Sequence, residues 1–176
     1  MTTMTVEETI RDLMDLMPYG LYIVGSRKGD DVDGMLADWV MQLSFRPRLV
    51  AVALENDSRT LENVRASGVF SVNLLSQDAD SMALAEKFAQ PYYDAKIRGR
   101  GANGDPVHHK LERIAYTLSG FGCPVLEAAM AWLDCKVSQL VPVGDHTLVV
   151  GEVHDGKRVR DGEALTSTYT GWNYSG

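Results

Sequence analysis

From Ala128 to Val141 the sequence alternates over a distance that suits a long, half-buried β-strand. Ala129, Ala131, Leu133, Cys135 and Val137 share one parity, and Met130, Trp132, Asp134 and Lys136 share the other. Successive strand side chains point to opposite faces, so one set faces a core and the other does not. Val143-Gly144-Asp145 turns the chain, and His146 to Val153 returns as a second strand. Asp155-Gly156 reads as a further hairpin signal.

The rest of the chain supplies more strands and a few helices. Thr5-Val6-Glu7-Glu8 has the form of a capping box. Val6, Ile10, Leu13, Met14 and Met17 follow at helical spacing, giving an amphipathic opening helix whose expected job is to cover an open side of a sheet. Leu21 to Val24 is a short strand, and Gly25 to Gly34 is a polar turn or hairpin loop in which Asp30, Asp31 and Asp33 are solvated. The stretch Gly34 to Phe45 is read as one strand, Arg46-Pro47-Arg48 as a turn, and Leu49 to Leu54 as the next strand. Asp57-Ser58 caps a helix over Arg59 to Ala66 that Gly68 ends. Val69 to Leu75 is a strand, Asp78 or Asp80 caps a helix through Phe88, and Ile114 to Phe121 is a strand. Gln90 to Lys110 is a long glycine-bearing loop, and loops of that length are often functional. Many strands with antiparallel turn signals and few helices give a mainly β, α+β barrel.

Length and charge bound the function. One domain over residues 1–176 is expected, since 176 residues fill a single core. A formal net charge of −7 gives no electrostatic support for nucleic-acid binding. Cys123 and Cys135 form no CxxC pair and no zinc pattern with the histidines, so no metal is expected. The adjacent His108 and His109 would point to opposite faces of a strand, which disfavours chelation. No apolar run approaches a membrane span and no signal peptide is visible, so the chain reads as cytoplasmic. No Gly-x-Gly-x-x-Gly opens a helix after a strand, and no Gly-x-Ser-x-Gly or His-Glu-x-x-His occurs.

Two segments carry candidate chemistry. Trp39, Gln42 and Ser44 can stack on or hydrogen-bond a planar polar ligand. Ser58, Arg59 and Thr60 stand where a strand passes into a helix, and together offer hydroxyls, first-turn N–H groups and a cation to a phosphate. On local sequence alone, Asp57 or Ser58 capping a surface helix is the better explanation of the second segment.

A family likeness decides between these readings. The run Gly34-Met35-Leu36-Ala37, then Trp39-Val40, Gln42 and Ser44-Phe45, resembles the flavin-reductase-like family. The likeness continues through Ser58-Arg59-Thr60-Leu61, Phe70-Ser71-Val72-Asn73-Leu74-Leu75, Leu133-Asp134-Cys135, Gly144-Asp145-His146-Thr147 and Gly151-Glu152-Val153. It is strongest to the flavin-reductase domain of diflavin flavoproteins. It implies the FMN-binding split β-barrel and an oxidoreductase that takes hydride from NADH or NADPH and passes electrons to free flavin or another acceptor. FMN is the implied cofactor, with FAD as the alternative. Met35, Leu36, Ala37, Asp38, Trp39 and Gln42 are implied along the flavin ring, with Ser44, Asp57, Ser58, Arg59 and Thr60 at its phosphate and His146 at the reacting ring. Relatives commonly carry a small hydroxyl residue at the position of Asp38, and a carboxylate there would oppose negative charge on reduced flavin. A homodimer is implied, with the aromatic tail Tyr169 to Tyr174 at its interface, and a downstream monooxygenase or redox protein as partner. The alternatives are a flavin electron-transfer module reduced by a partner protein, and a split-barrel binding protein without flavin redox activity.

Overall fold

The structure, a computed structural model, describes residues 4–92 and 109–173. The middle of the expected long loop, with Tyr93, Gly99, Gly101, Gly104, Pro106 and His108, lies outside the described residues, as does Tyr174. The elements run α1 (Val6–Met14), β1 (Tyr22–Lys28), β2 (Asp31–Ala37), β3 (Val40–Phe45), β4 (Arg48–Glu55), α2 (Arg59–Ser67), β5 (Val69–Leu74), α3 (Ala79–Phe88), β6 (Tyr116–Leu118), β7 (Pro124–Leu126), β8 (Ala131–Val143), β9 (His146–Arg158) and α4 (Ser167–Thr170).

Seven strands form one antiparallel sheet in the order β2-β1-β5-β8-β9-β4-β3, and β6 and β7 form a separate pair. The two edge strands, β2 and β3, are consecutive in the chain and are joined by Asp38-Trp39 alone. Three Cα–Cα steps reach about 11 Å at most, so the sheet must curl until its edges nearly meet. No ladder closes them, and the barrel is split at that seam.

The barrel interior is filled by Val24, Val50, Val52, Leu54, Leu61, Val64, Phe70, Val72 and Val149. A second cluster, Leu21, Ile23, Leu75, Leu84, Phe88, Leu126 and Leu165, packs α3 against the outside of β1. Asn73 joins β5 to its neighbours from a fully buried position: its Nδ2 donates to Ile23 O at 3.1 Å and its Oδ1 accepts from Leu126 N at 2.8 Å. The polar parity of Phe70 to Leu75 therefore serves the fold.

Several sequence expectations are corrected. The loop expected over Gly25 to Gly34 is mostly ladder, because β1 and β2 pair from Tyr22↔Ala37 to Lys28↔Asp31 and leave only Gly29-Asp30 as the turn. The expected single strand from Gly34 to Phe45 breaks at Asp38-Trp39, since its two halves belong to opposite sheet edges. The strand expected over Ile114 to Phe121 is only Tyr116–Leu118. Asp155-Gly156 makes no hairpin; β8 and β9 stay paired past it to Ala131↔Arg158. Glycine is required at 156 by close approach, because a Cβ there would lie 2.9 Å from Trp132 O. The hairpin turn is at Gly144, whose φ of 66° suits glycine. Finally, α1 has the expected capping box but covers no part of its own sheet, since none of its residues is buried.

Candidate functional site

The seam of the barrel opens into a cleft of about 530 Å³, a size typical of small-molecule sites. One wall is the strand break itself: Met35, Leu36, Ala37, Asp38 and Trp39. Opposite lie Ala53 and Glu55 of β4 and His146 at the start of β9, paired through the Glu55↔His146 register. Ser58, Arg59 and Thr60 close one end, with Asp33 and Lys110 beside them. Phe88 to Tyr92 and Trp172 complete the lining.

The ring-sized end is aromatic. The Trp39 and His146 rings are tilted at 43° with centroids 4.8 Å apart, and Tyr19 stands 6.5 Å from Trp39. His146 Nδ1 is 2.6 Å from an Asp145 carboxylate oxygen. A carboxylate only accepts, so Nδ1 carries the proton and Nε2 is left to meet whatever fills the cleft. Asp38 lines the same end; burial raises its pKa, while the Asp38 and Trp39 N–H groups and His146 pull it back. The break between β2 and β3 thus places Asp38 at the cleft.

The other end gathers polar and charged groups. Ser58 caps α2: its Oγ accepts from Leu61 N at 3.2 Å and donates to Glu55 O at 2.8 Å. The first turn of the helix behind it presents N–H groups with no intrahelical acceptors. Thr60 is buried against the cleft. Arg59 pairs with Asp31, lies 3.5 Å from Asp33 by its Nε, and has Tyr92 stacked 3.9 Å from its guanidinium carbon. Lys110 is only 4% exposed, and its ammonium makes no hydrogen bond or ion pair among the described residues. Burial holds its pKa below the ordinary lysine range, with Asp33 opposing the drop and Arg59 adding to it. Burial likewise raises Asp33. Arg59 and Lys110 thus meet at this end of the cleft, with Asp31 and Asp33 as their counter-charges.

The cleft therefore brings together Met35, Leu36, Ala37, Asp38, Trp39, Ser58, Arg59, Thr60 and His146. Gln42, Ser44 and Asp57 are not part of its wall; Gln42 is exposed and donates to Ser44 O across the β3 bulge. Sequence reasoning missed Lys110, which sits at the end of an aperiodic loop and is buried only by packing against distant segments. It also treated Asp33 as a solvated turn residue, whereas Asp33 is 3% exposed. Trp172, expected at a subunit interface, lines the cleft and packs on the α3 cluster.

Fold and cleft together define a split-barrel protein with a small-molecule cleft at its seam. The model of the flavin reductase like domain matches residues 14–174, and the chain belongs to that family. It is 32% identical over 149 residues to the ferric-chelate reductase (NAD(P)H) of Archaeoglobus fulgidus, covering 84% of this chain and 80% of that protein. It is 30% identical over 151 residues to diflavin flavoprotein A 1 of Synechocystis, covering 85% of this chain but 24% of that protein. The chain also spans 62% of the high molecular weight rubredoxin of Moorella thermoacetica, at 29% identity. Among solved structures, the flavin reductase HpaC complexed with NADP+ superposes with a TM-score of 0.72 at 28% identity, covering 89% of this chain and 88% of that one.

Proposed function

We propose that this chain is a single-domain NAD(P)H-dependent flavin reductase with FMN as its flavin. The observation that carries the reading is the bipolar cleft: an aromatic slot at the strand break, and a helix N-terminus with Arg59 and buried Lys110 at the other end. A flat ring carrying a terminal phosphate dianion matches both ends at once, and two cations with a helix N-terminus favour such a phosphate over the more distributed charge of FAD. When bound, the flavin supplies the two-electron chemistry. Ala37 and Trp39 shape the slot, His146 offers Nε2 to the reacting side, and Arg59, Thr60 and Lys110 hold the phosphate. A homodimer, an electron-accepting partner such as a monooxygenase or redox protein, and a cytoplasmic setting belong to the same reading. Two buried free thiols suit that setting, and no helix among the described residues is long and apolar enough to cross a membrane.

The test is a visible spectrum of the protein with saturating FMN, followed by NADH or NADPH under argon. Flavin uptake and bleaching at 1:1 stoichiometry are expected. Uptake with photoreduction but no bleaching by either nucleotide would identify an electron-transfer module instead. No uptake would end the flavin reading.

Two predictions arise here. Lys110 is fully charged, and FMN binding strongest, below its depressed pKa; affinity falls as pH rises through that value, before an ordinary lysine near 10.4 would titrate. Asp33 and Arg59 face the same ammonium and set where the fall begins. Lys110→Met should bind FMN more weakly and show no such fall in flavin-fluorescence titrations. Asp38, once ionised, opposes electron uptake by the ring. Asp38→Asn should raise the midpoint potential of bound flavin by roughly 30–60 mV at neutral pH. The difference should shrink on acidification, and shrink early because burial raises the Asp38 pKa. Equal potentials at every pH would place Asp38 away from the ring.

A further inference from the structure

A second cavity, of about 300 Å³, adjoins the cleft at its charged end. The two spaces share Asp33, Tyr92 and Lys110 as walls, so the second begins where the proposed phosphate seat ends. Its volume lies at the lower limit of small-molecule sites. A flavin that ends in a phosphate monoester stops short of it. A flavin dinucleotide carries a second phosphate and a nucleoside past the first, and this is the neighbouring room for them.

The two spaces differ in charge. Arg59, Thr60 and the first turn of α2 belong to the cleft, and none of them lines the second cavity. The second cavity instead has the carboxylates of Asp31, Asp33 and Glu112 in its wall. Lys110 and His109 are the basic side chains there among the described residues. Lys110 is 4% exposed, makes no hydrogen bond or ion pair among the described residues, and already faces the first phosphate. Asp31 and Asp33 pair with Arg59 on its cleft side. The cation paired with Glu112 is Arg113, 3.9 Å away with a side chain 89% exposed, and such a pair offsets little of the carboxylate charge. A second phosphate would therefore leave the donors of the cleft behind and meet like charge.

We propose that Glu112 and Asp31 are specificity-determining residues that select FMN against FAD by repelling the second phosphate. The proposal rests on the flavin reading above and names what sets the choice of flavin. Two like unit charges about 5 Å apart oppose one another by roughly fourfold in affinity at the dielectric of water, and by more at lower values.

The test is calorimetric titration of the full chain with riboflavin, FMN and FAD separately. The wild type should bind FMN at least about tenfold tighter than FAD. Glu112→Gln should tighten FAD by roughly fivefold and leave FMN and riboflavin within about twofold. Glu112→Lys should narrow the ratio further. The Glu112 side chain is 67% exposed and its backbone bonds to His109 and Lys87 survive both changes, so both variants should keep the circular dichroism of the parent. Asp31 also holds Arg59, so Asp31→Asn is scored by the FMN-to-FAD ratio, which should narrow, and not by either affinity alone. At about 1 M salt, where screening acts within about 3 Å, wild type and Glu112→Gln should converge. A steric wall would be indifferent to salt. Equal affinity of the wild type for FMN and FAD, a ratio unmoved by both Glu112 variants, or a difference that persists at high salt would overturn the proposal while FMN binding upholds the flavin reading. Failure of all three flavins to bind would end that reading and this proposal together.

Discussion

Arg59→Ala should weaken FMN binding by about 10- to 150-fold while changing riboflavin binding little. A hydrogen bond to a charged group contributes about 1.5–3 kcal/mol, and each 1.4 kcal/mol is about tenfold in affinity. Arg59 is held in place at the cleft: Asp31 and Asp33 pair with its guanidinium and Tyr92 stacks on its face. Thr60 and Lys110 remain in the variant, which is why binding weakens without being abolished. Riboflavin shares the ring and lacks the phosphate, so it separates loss of the anion seat from collapse of the cleft. Removing Arg59 also strips the buried Asp33 carboxylate of its ion partner, so some loss of stability is expected as well. Parallel loss of both ligands would show Arg59 to be a structural residue only.

Gly151→Ala should destabilise the fold by about 3 kcal/mol, with Phe70 as the cause. A Cβ at 151 would lie 2.4 Å from two atoms of the Phe70 ring and 3.2 Å from the Cys135 Cβ. Phe70 is completely buried in the middle of the barrel, surrounded by Val24, Val52, Val64 and Val72, so its ring has nowhere to move. The clash is relieved if the ring is shortened. Phe70→Leu alone leaves a cavity and is destabilising. Combined with Gly151→Ala, it should recover about 1 kcal/mol or more relative to the sum of the single changes. Urea unfolding of the four proteins measures this directly, and strict additivity would contradict the packing described.

The parts of this molecule that were legible in its sequence are those governed by local rules. Ser58 and Gly68 end α2 as their types predict, and Asp78 caps α3. The alternation of Ala128 to Val141 became the long strand β8. What was misread depends on which segments meet in space. The break at Asp38-Trp39 is invisible in the residues themselves, because nothing local says that Met35 and Gln42 belong to opposite edges of one sheet. Gly156 resembles a turn and is in fact a close approach to Trp132. Lys110 gives no local sign of burial. The likeness to flavin reductases supplied the strand-break wall and the Ser58 to Thr60 segment of the cleft, but not the buried lysine beside Arg59.

An amphipathic helix beside an open sheet is ordinarily its cover, and the apolar stripe of α1 raised that expectation. The exposure of Ile10, Leu13 and Met14 shows that α1 does not cover its own sheet.

The most direct measurement of the central claim is diffraction from crystals grown with FMN. The isoalloxazine ring should lie against Ala37 and Trp39 with His146 within reach. Its phosphate should sit within hydrogen-bonding distance of the Arg59 and Thr60 segment and of the Lys110 ammonium. A phosphate bound elsewhere, or a cleft without flavin density at saturating FMN, would contradict the account.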